Sequence, residues 1–157
     1  MTIRPTLLPL LAACAVTLVP PAAGAQTLPP VVSRAIAQQS ENCMKPDKVS
    51  LEKGFMTRRD VNADGIPDYV LDYGSFKCGD TFMLYCGSAG CLTQVFASAD
   101  GSFVKVLDEN AQKVDFKTVK GRPAMLLGLH GTACGKRGMD ACGATLYWNG
   151  SRFSPAN

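Results

Sequence analysis

Residues 91–107 read Cys-Leu-Thr-Gln-Val-Phe-Ala-Ser-Ala-Asp-Gly-Ser-Phe-Val-Lys-Val-Leu. Two β-prone runs, 92–97 and 103–107, lie on either side of Ala99-Asp100-Gly101, and the second alternates apolar with polar residues. A period of two marks a strand with one face in a core, and aspartate followed by glycine is turn chemistry. The stretch is therefore predicted to be an antiparallel hairpin. The same pattern continues outward. Residues 69–73 and 82–86 are β-prone, and Gly87-Ser88-Ala89-Gly90 turns the second of them into 92–97. Residues 114–119 alternate weakly, and 124–130 form a continuous apolar run, as expected of a central strand. Residues 144–148 and 152–153 flank Asn149-Gly150, a strong hairpin signal. About seven short strands result.

Ahead of them, Val31, Val32, Ala35 and Ile36 form one apolar stripe at helical spacing. Pro30 suits the first turn of such a helix, which should end near Asn42-Cys43, before Pro46. The expected fold is mainly β (α+β): an antiparallel sheet of about seven short strands with one N-terminal helix packed on a face.

The first 25 residues do not belong to that domain. Arg4 is their only charge, residues 7–19 are apolar, and the segment closes on Ala23-Gly24-Ala25. This is the pattern of a secretory signal peptide, 1–25, leaving a single globular domain, 26–157, that is periplasmic or secreted. Leu11-Ala12-Ala13-Cys14 resembles a lipobox, so lipidation at Cys14 is the alternative. Pro9, Pro20 and Pro21 interrupt or bound the run, which is short of the roughly 20 residues of a membrane span. No transmembrane segment is expected in the mature chain. The formal charge is +3, with lysine and arginine scattered, which argues against nucleic acid as a partner.

Beyond Cys14, six cysteines remain: Cys43, Cys78, Cys86, Cys91, Cys134 and Cys142. An even number in an exported chain points to a disulfide framework. Six cysteines admit many pairings, and sequence alone does not select one. Locality favours Cys86 with Cys91 and Cys134 with Cys142, and by exclusion Cys43 with Cys78. The spacings give no short pairs for zinc and no Cys-x-x-Cys redox motif.

The sharpest local motif is Asp60-Val61-Asn62-Ala63-Asp64-Gly65-Ile66-Pro67-Asp68. Asp60, Asn62, Asp64 and Asp68 carry side-chain oxygens at positions one, three, five and nine, and the Ile66 carbonyl adds a fifth donor. Gly65 permits the sharp bend. Ca²⁺ takes hard oxygen ligands in this kind of spacing, so a structural Ca²⁺ is the expected cofactor. Where an EF-hand has its bidentate glutamate the chain has Leu71, and a strand rather than a helix follows. The competing reading is a solvated Asx turn. Arg58 and Arg59 stand beside the acids and could pair with them.

The loop resembles the Asp-x-Asn-x-Asp-Gly-x-x-Asp loops of FG-GAP, VCBS and integrin-type repeats. That resemblance implies Ca²⁺ on Asp60, Asn62, Asp64, Asp68 and the Ile66 carbonyl. It covers about a dozen residues in one copy, so propeller architecture and adhesion do not follow from it. Over a longer span, the same loop with its Tyr, then Cys-Gly-Ser-Ala-Gly-Cys, Leu-His-Gly-Thr-Ala-Cys-Gly and a closing Trp-Asn-Gly-x-x-Phe resemble small exported proteobacterial proteins of unknown function. This second resemblance implies secretion and disulfides but no activity.

His130 is the only histidine and ends the most apolar run. A small hydrolase would need it beside a serine and an acid, and no Gly-x-Ser-x-Gly elbow is present. The leading expectation is a non-enzymatic domain that binds a protein partner or ligand in the periplasm. A narrower form is a hydrolase inhibitor whose rigid loop is 135–141, with Lys136 and Arg137 as its binding residues. An envelope structural protein and a small hydrolase using His130 are the alternatives.

Overall fold

The computed structural model describes residues 27–81, 83–140 and 142–156; the leader expected over 1–25, with Cys14, lies outside the described residues. Helix α1 spans Pro30–Ser40 with Pro30 in its first turn, and buries Val32 and Ala35. Its final turn leaves carbonyls without intrahelical partners. One of them, Gln39 O, accepts the Tyr85 hydroxyl. Just beyond the helix, Cys43 is bonded to Cys78.

The strands are β1 (Val49–Leu51), β2 (Met56–Arg59), β3 (Asp68–Asp72), β4 (Phe76–Cys78), β5 (Cys86–Gly87), β6 (Gly90–Ala99), β7 (Ser102–Ala111), β8 (Lys113–Val119), β9 (Arg122–Leu129), β10 (Cys142–Trp148) and β11 (Phe153–Pro155). One sheet is ordered β2-β3-β6, with β7 on the far side of β6 and β5 pairing the start of β6 beside β3. A second runs β11-β10-β9-β8, and β1 pairs β4 in a third. All pairings are antiparallel.

The described residues thus hold eleven strands in three sheets, where the sequence led us to expect about seven in one. The additional strands are short. β2 reads Met-Thr-Arg-Arg and pairs only with β3, so it is an edge whose polar side chains face water and carry no apolar alternation. Of the strand expected over 82–86, the described residues keep only the end, Cys86, in β5. Met83 has φ +69°, and only Cys86 and Gly87 pair with β6. The local β-propensity is overridden because Tyr85 serves as a plug. Its ring meets Tyr73 and Phe76 edge-on at 5.2 Å, while Met83 and Leu84 face solvent.

The β6–β7 hairpin predicted from 91–107 turns at Asp100 and Gly101, both in the left-handed region. β6 is buried continuously from Thr93 to Ser98, because both of its faces are covered. On one face Phe96 joins Tyr69, Leu71, Phe76 and the helix residues Val32 and Ala35. On the other, Val95 and Ala97 meet Phe116, Met125, Leu127 and Phe153 of the second sheet. The apolar run 124–130 supplies β9, the strand between β8 and β10. At Asn149-Gly150 the connection has four residues. Asn149 Oδ1 accepts the N–H groups of Ser151 and Arg152, and Trp148 pairs with Phe153.

Candidate functional site

The loop 60–68 joins β2 to β3 and is wrapped by its own hydrogen bonds. Asp60 Oδ1 accepts from the N–H of Ala63 at 2.6 Å and of Asp64 at 3.2 Å; its Oδ2 accepts from Gly65 at 2.8 Å. Ala63 and Gly65 have positive φ, which turns these N–H groups inward. Asp64 Oδ1 accepts from the Ile66 N–H. Burial pushes the Asp64 carboxyl up, but hydrogen bonds from Ser98, Ile66 and Asn62 outweigh that and hold it below the usual range.

Asn62 and Asp68 point the other way, into the fold. Asn62 donates to Ser98 O at 2.8 Å and to Asp64 Oδ2 at 3.1 Å. Asp68 is fully buried; its Oδ2 accepts the Val61 N–H at 2.8 Å and its Oδ1 the Ser98 N–H at 2.7 Å. The Ser98 hydroxyl lies 2.6 Å from Asp64 Oδ2 and 2.8 Å from Asp68 Oδ1. One hydroxyl proton therefore faces two carboxylate oxygens. Ser98, on β6, was missed from sequence, where nothing separates it from other small polar strand residues.

Backbone N–H donors thus satisfy Asp60 and Asp68, and Asp64 takes the Ile66 N–H with the Asn62 amide and the Ser98 hydroxyl. Among the described residues, no three His, Cys, Asp or Glu side chains are grouped around a common point. Of the neighbouring arginines, Arg58 stacks on Tyr69 and donates to Pro67 O, while Arg59 stacks on Phe116 and donates to its carbonyl.

The six cysteines form three bridges: Cys43–Cys78, Cys86–Cys91 and Cys134–Cys142. The last closes a compact turn carrying Lys136 and Arg137. Lys136 N–H donates to Gly131 O, Gly131 N–H to Gly138 O and Asp140 N–H to Arg137 O. The ring of His130 lies against Gly138, where a Cβ would come within 2.5 Å of it. At the tip, Met139 is 98% exposed. His130 Nδ1 is 2.8 Å from Thr132 Oγ1, and among the described residues no carboxylate hydrogen-bonds the ring. The six cysteines are all spent in disulfides, and the His130 ring is held by the Thr132 hydroxyl and packed under Gly138.

No family model matches the chain, and no curated protein or solved structure is significantly similar to it.

Proposed function

We propose that the mature chain is an exported, non-catalytic binding domain that presents the turn 136–140 to an acidic protein partner. The supporting observation is Met139, almost wholly exposed on a backbone pinned by a disulfide and by hydrogen bonds. Pinning reduces the ordering cost of association, and an apolar knob can fill a partner's pocket. The exposed Lys136 and Arg137 beside it favour a negative surface. Substrate-like inhibition of a hydrolase fits less well. Such an inhibitor must offer a backbone carbonyl to the enzyme, whereas Arg137 O is turned toward the Asp140 N–H.

Affinity capture from periplasmic extract, with identification by mass spectrometry, tests the reading. A specific acidic protein should be retained by the wild type and lost by Lys136→Glu/Arg137→Glu and by Met139→Asp. Retention unaffected by these variants would refute it. Intact mass tests export: a chain starting at Gln26 supports cleavage, and a lipidated Cys14 supports the lipoprotein.

A second reading concerns loop 60–68, as a structural Ca²⁺ staple. Its support is the hard-oxygen donor set and the single Ser98 proton set between Asp64 and Asp68, an excess of negative charge that a cation offsets. The holding groups would be Asp60, Asn62, Asp64, the Ile66 carbonyl and Asp68, and the loop would have to rewrap to bring them together, since Asn62 and Asp68 are turned inward and Asp60 is spent on N–H groups of the loop.

A further inference from the structure

Between the β2-β3-β6 sheet and the start of β8 lies a groove of about 540 Å³, within the usual range for small-molecule sites. It is the open continuation of the core between the sheets. Val70 and Val114, both packed against that core, form its apolar part. Around them stand Thr57, Asp72, Thr93 and Lys113.

These polar groups are largely unspent. Asp72 Oδ1 accepts the Gly74 N–H, and its Oδ2 has no hydrogen bond among the described residues. The Lys113 ammonium acts on Asp115 only through space and makes no ion pair among the described residues. Thr93 is 7% exposed, yet its hydroxyl has only Cys91 O, at 3.5 Å, which is long for an O–H···O bond. The hydroxyl proton is directed at that carbonyl, which leaves the oxygen's lone pairs facing the groove as acceptors. Asp72 and Thr93 are direct partners across β3 and β6, so their side chains share the face that forms the groove. Among the described residues no aromatic side chain lines the groove, so these residues offer no stacking platform for a sugar ring or a base.

We propose that this groove binds a small zwitterion, a free amino acid or a dipeptide with small aliphatic side chains. Asp72 and the Thr93 hydroxyl receive the ammonium, Lys113 receives the carboxylate, and Val70 and Val114 cover the aliphatic part. The assignment is independent of the 136–140 turn.

Calorimetric titration of the full oxidised mature protein with L-alanine and L-alanyl-L-alanine tests it, with propylamine and propionate as single-charge probes. A zwitterion should bind more tightly than either single-charge probe. Asp72→Asn and Lys113→Met should each weaken binding by roughly tenfold or more, as expected for loss of a charge-assisted contact. Asp72→Asn retains an oxygen for the Gly74 N–H, and Lys113 is exposed, so an unchanged melting temperature verifies that both variants fold. Absence of heat for both zwitterions up to about 10 mM would overturn the proposal. So would binding of propylamine or propionate as tight as the zwitterion's, or affinity unchanged in both variants.

Discussion

Asp68 and Ser98 clamp the acidic loop to the central strand. The buried carboxylate accepts the Ser98 N–H at 2.7 Å and lies 2.8 Å from the same residue's hydroxyl. Its other oxygen holds the Val61 N–H, beside a valine that packs in the core between the sheets. Asp68→Ala strands buried donors, each costing about 1–3 kcal/mol, so a total of about 3 kcal/mol or more is expected. Asp60→Ala at the exposed end of the loop frees N–H groups that water can reach, and should cost about 1 kcal/mol or less. Urea unfolding of the two variants decides. Equal losses would mean that the clamp does not anchor the loop.

If Ca²⁺ occupies loop 60–68, it stabilises the native state by mass action. A 100-fold excess over Kd is worth about 2.7 kcal/mol, several degrees in melting temperature for a chain this size. Mg²⁺ should give less, because it demands tight octahedral geometry and keeps its waters. Asp64→Ala should remove the Ca²⁺ increment and still fold, since Asp68 and the disulfides remain. An unchanged melting temperature for EDTA-stripped wild type in millimolar Ca²⁺, with no heat of binding, would leave a plain Asx turn.

Local features of the sequence were legible in proportion to how local their causes are. Asp100-Gly101 marks its hairpin because the turn itself demands those residues. Cys86 with Cys91 and Cys134 with Cys142 follow from proximity along the chain, and Cys43 with Cys78 by exclusion. β1, β2 and β4 have three or four residues each, too few to establish a period. Tyr85 looks like a strand residue, but its position is set by Tyr73, Phe76 and the end of α1, all tertiary neighbours. The acidic loop shows the same limit. Its internal turn is written in Asp60, Asn62 and Gly65, whereas the inward pull on Asp68 comes from Ser98, thirty residues away. Lys136 and Arg137 are visible as charges, but the exposure of Met139 depends on how the Cys134–Cys142 loop folds over His130.

Acid should loosen the β6–β7 hairpin through Asp108. Burial raises this carboxyl, but hydrogen bonds from Lys105 and Gln94, with the lysine's charge, outweigh it and hold it below its ordinary value. A carboxyl depressed in the native state contributes stability that is complete above the unfolded pKa of about 3.9 and is lost as pH falls through the native one. The pair with Lys105 is partly exposed, so the increment is small. Melting temperature followed downward from pH 6 should fall less steeply for Asp108→Asn than for wild type. Parallel curves would assign the acid sensitivity to other carboxylates.

The 136–140 turn rests on two glycines that should respond differently to a methyl group. At Gly131 a Cβ would lie 1.8 Å from Arg137 O, a backbone atom held by the Asp140 N–H. At Gly138 it would meet the outer edge of the His130 ring at 2.5 Å. Backbone cannot step aside without breaking the turn, while a side chain can rotate. Gly131→Ala should therefore cost about 3 kcal/mol or more, at the upper end of overpacking, and Gly138→Ala about 1–2 kcal/mol. Removing the obstacle separates this cause from a general intolerance of alanine. In a His130→Ala background Gly138→Ala should lose most of its cost, whereas Gly131→Ala should keep its own. Denaturant unfolding of the wild type, the three single variants and the two double mutants gives both coupling energies. A coupling near zero between His130 and Gly138 would show that the ring is not the platform of the turn, and would remove the rigidity on which the presentation of Met139 depends.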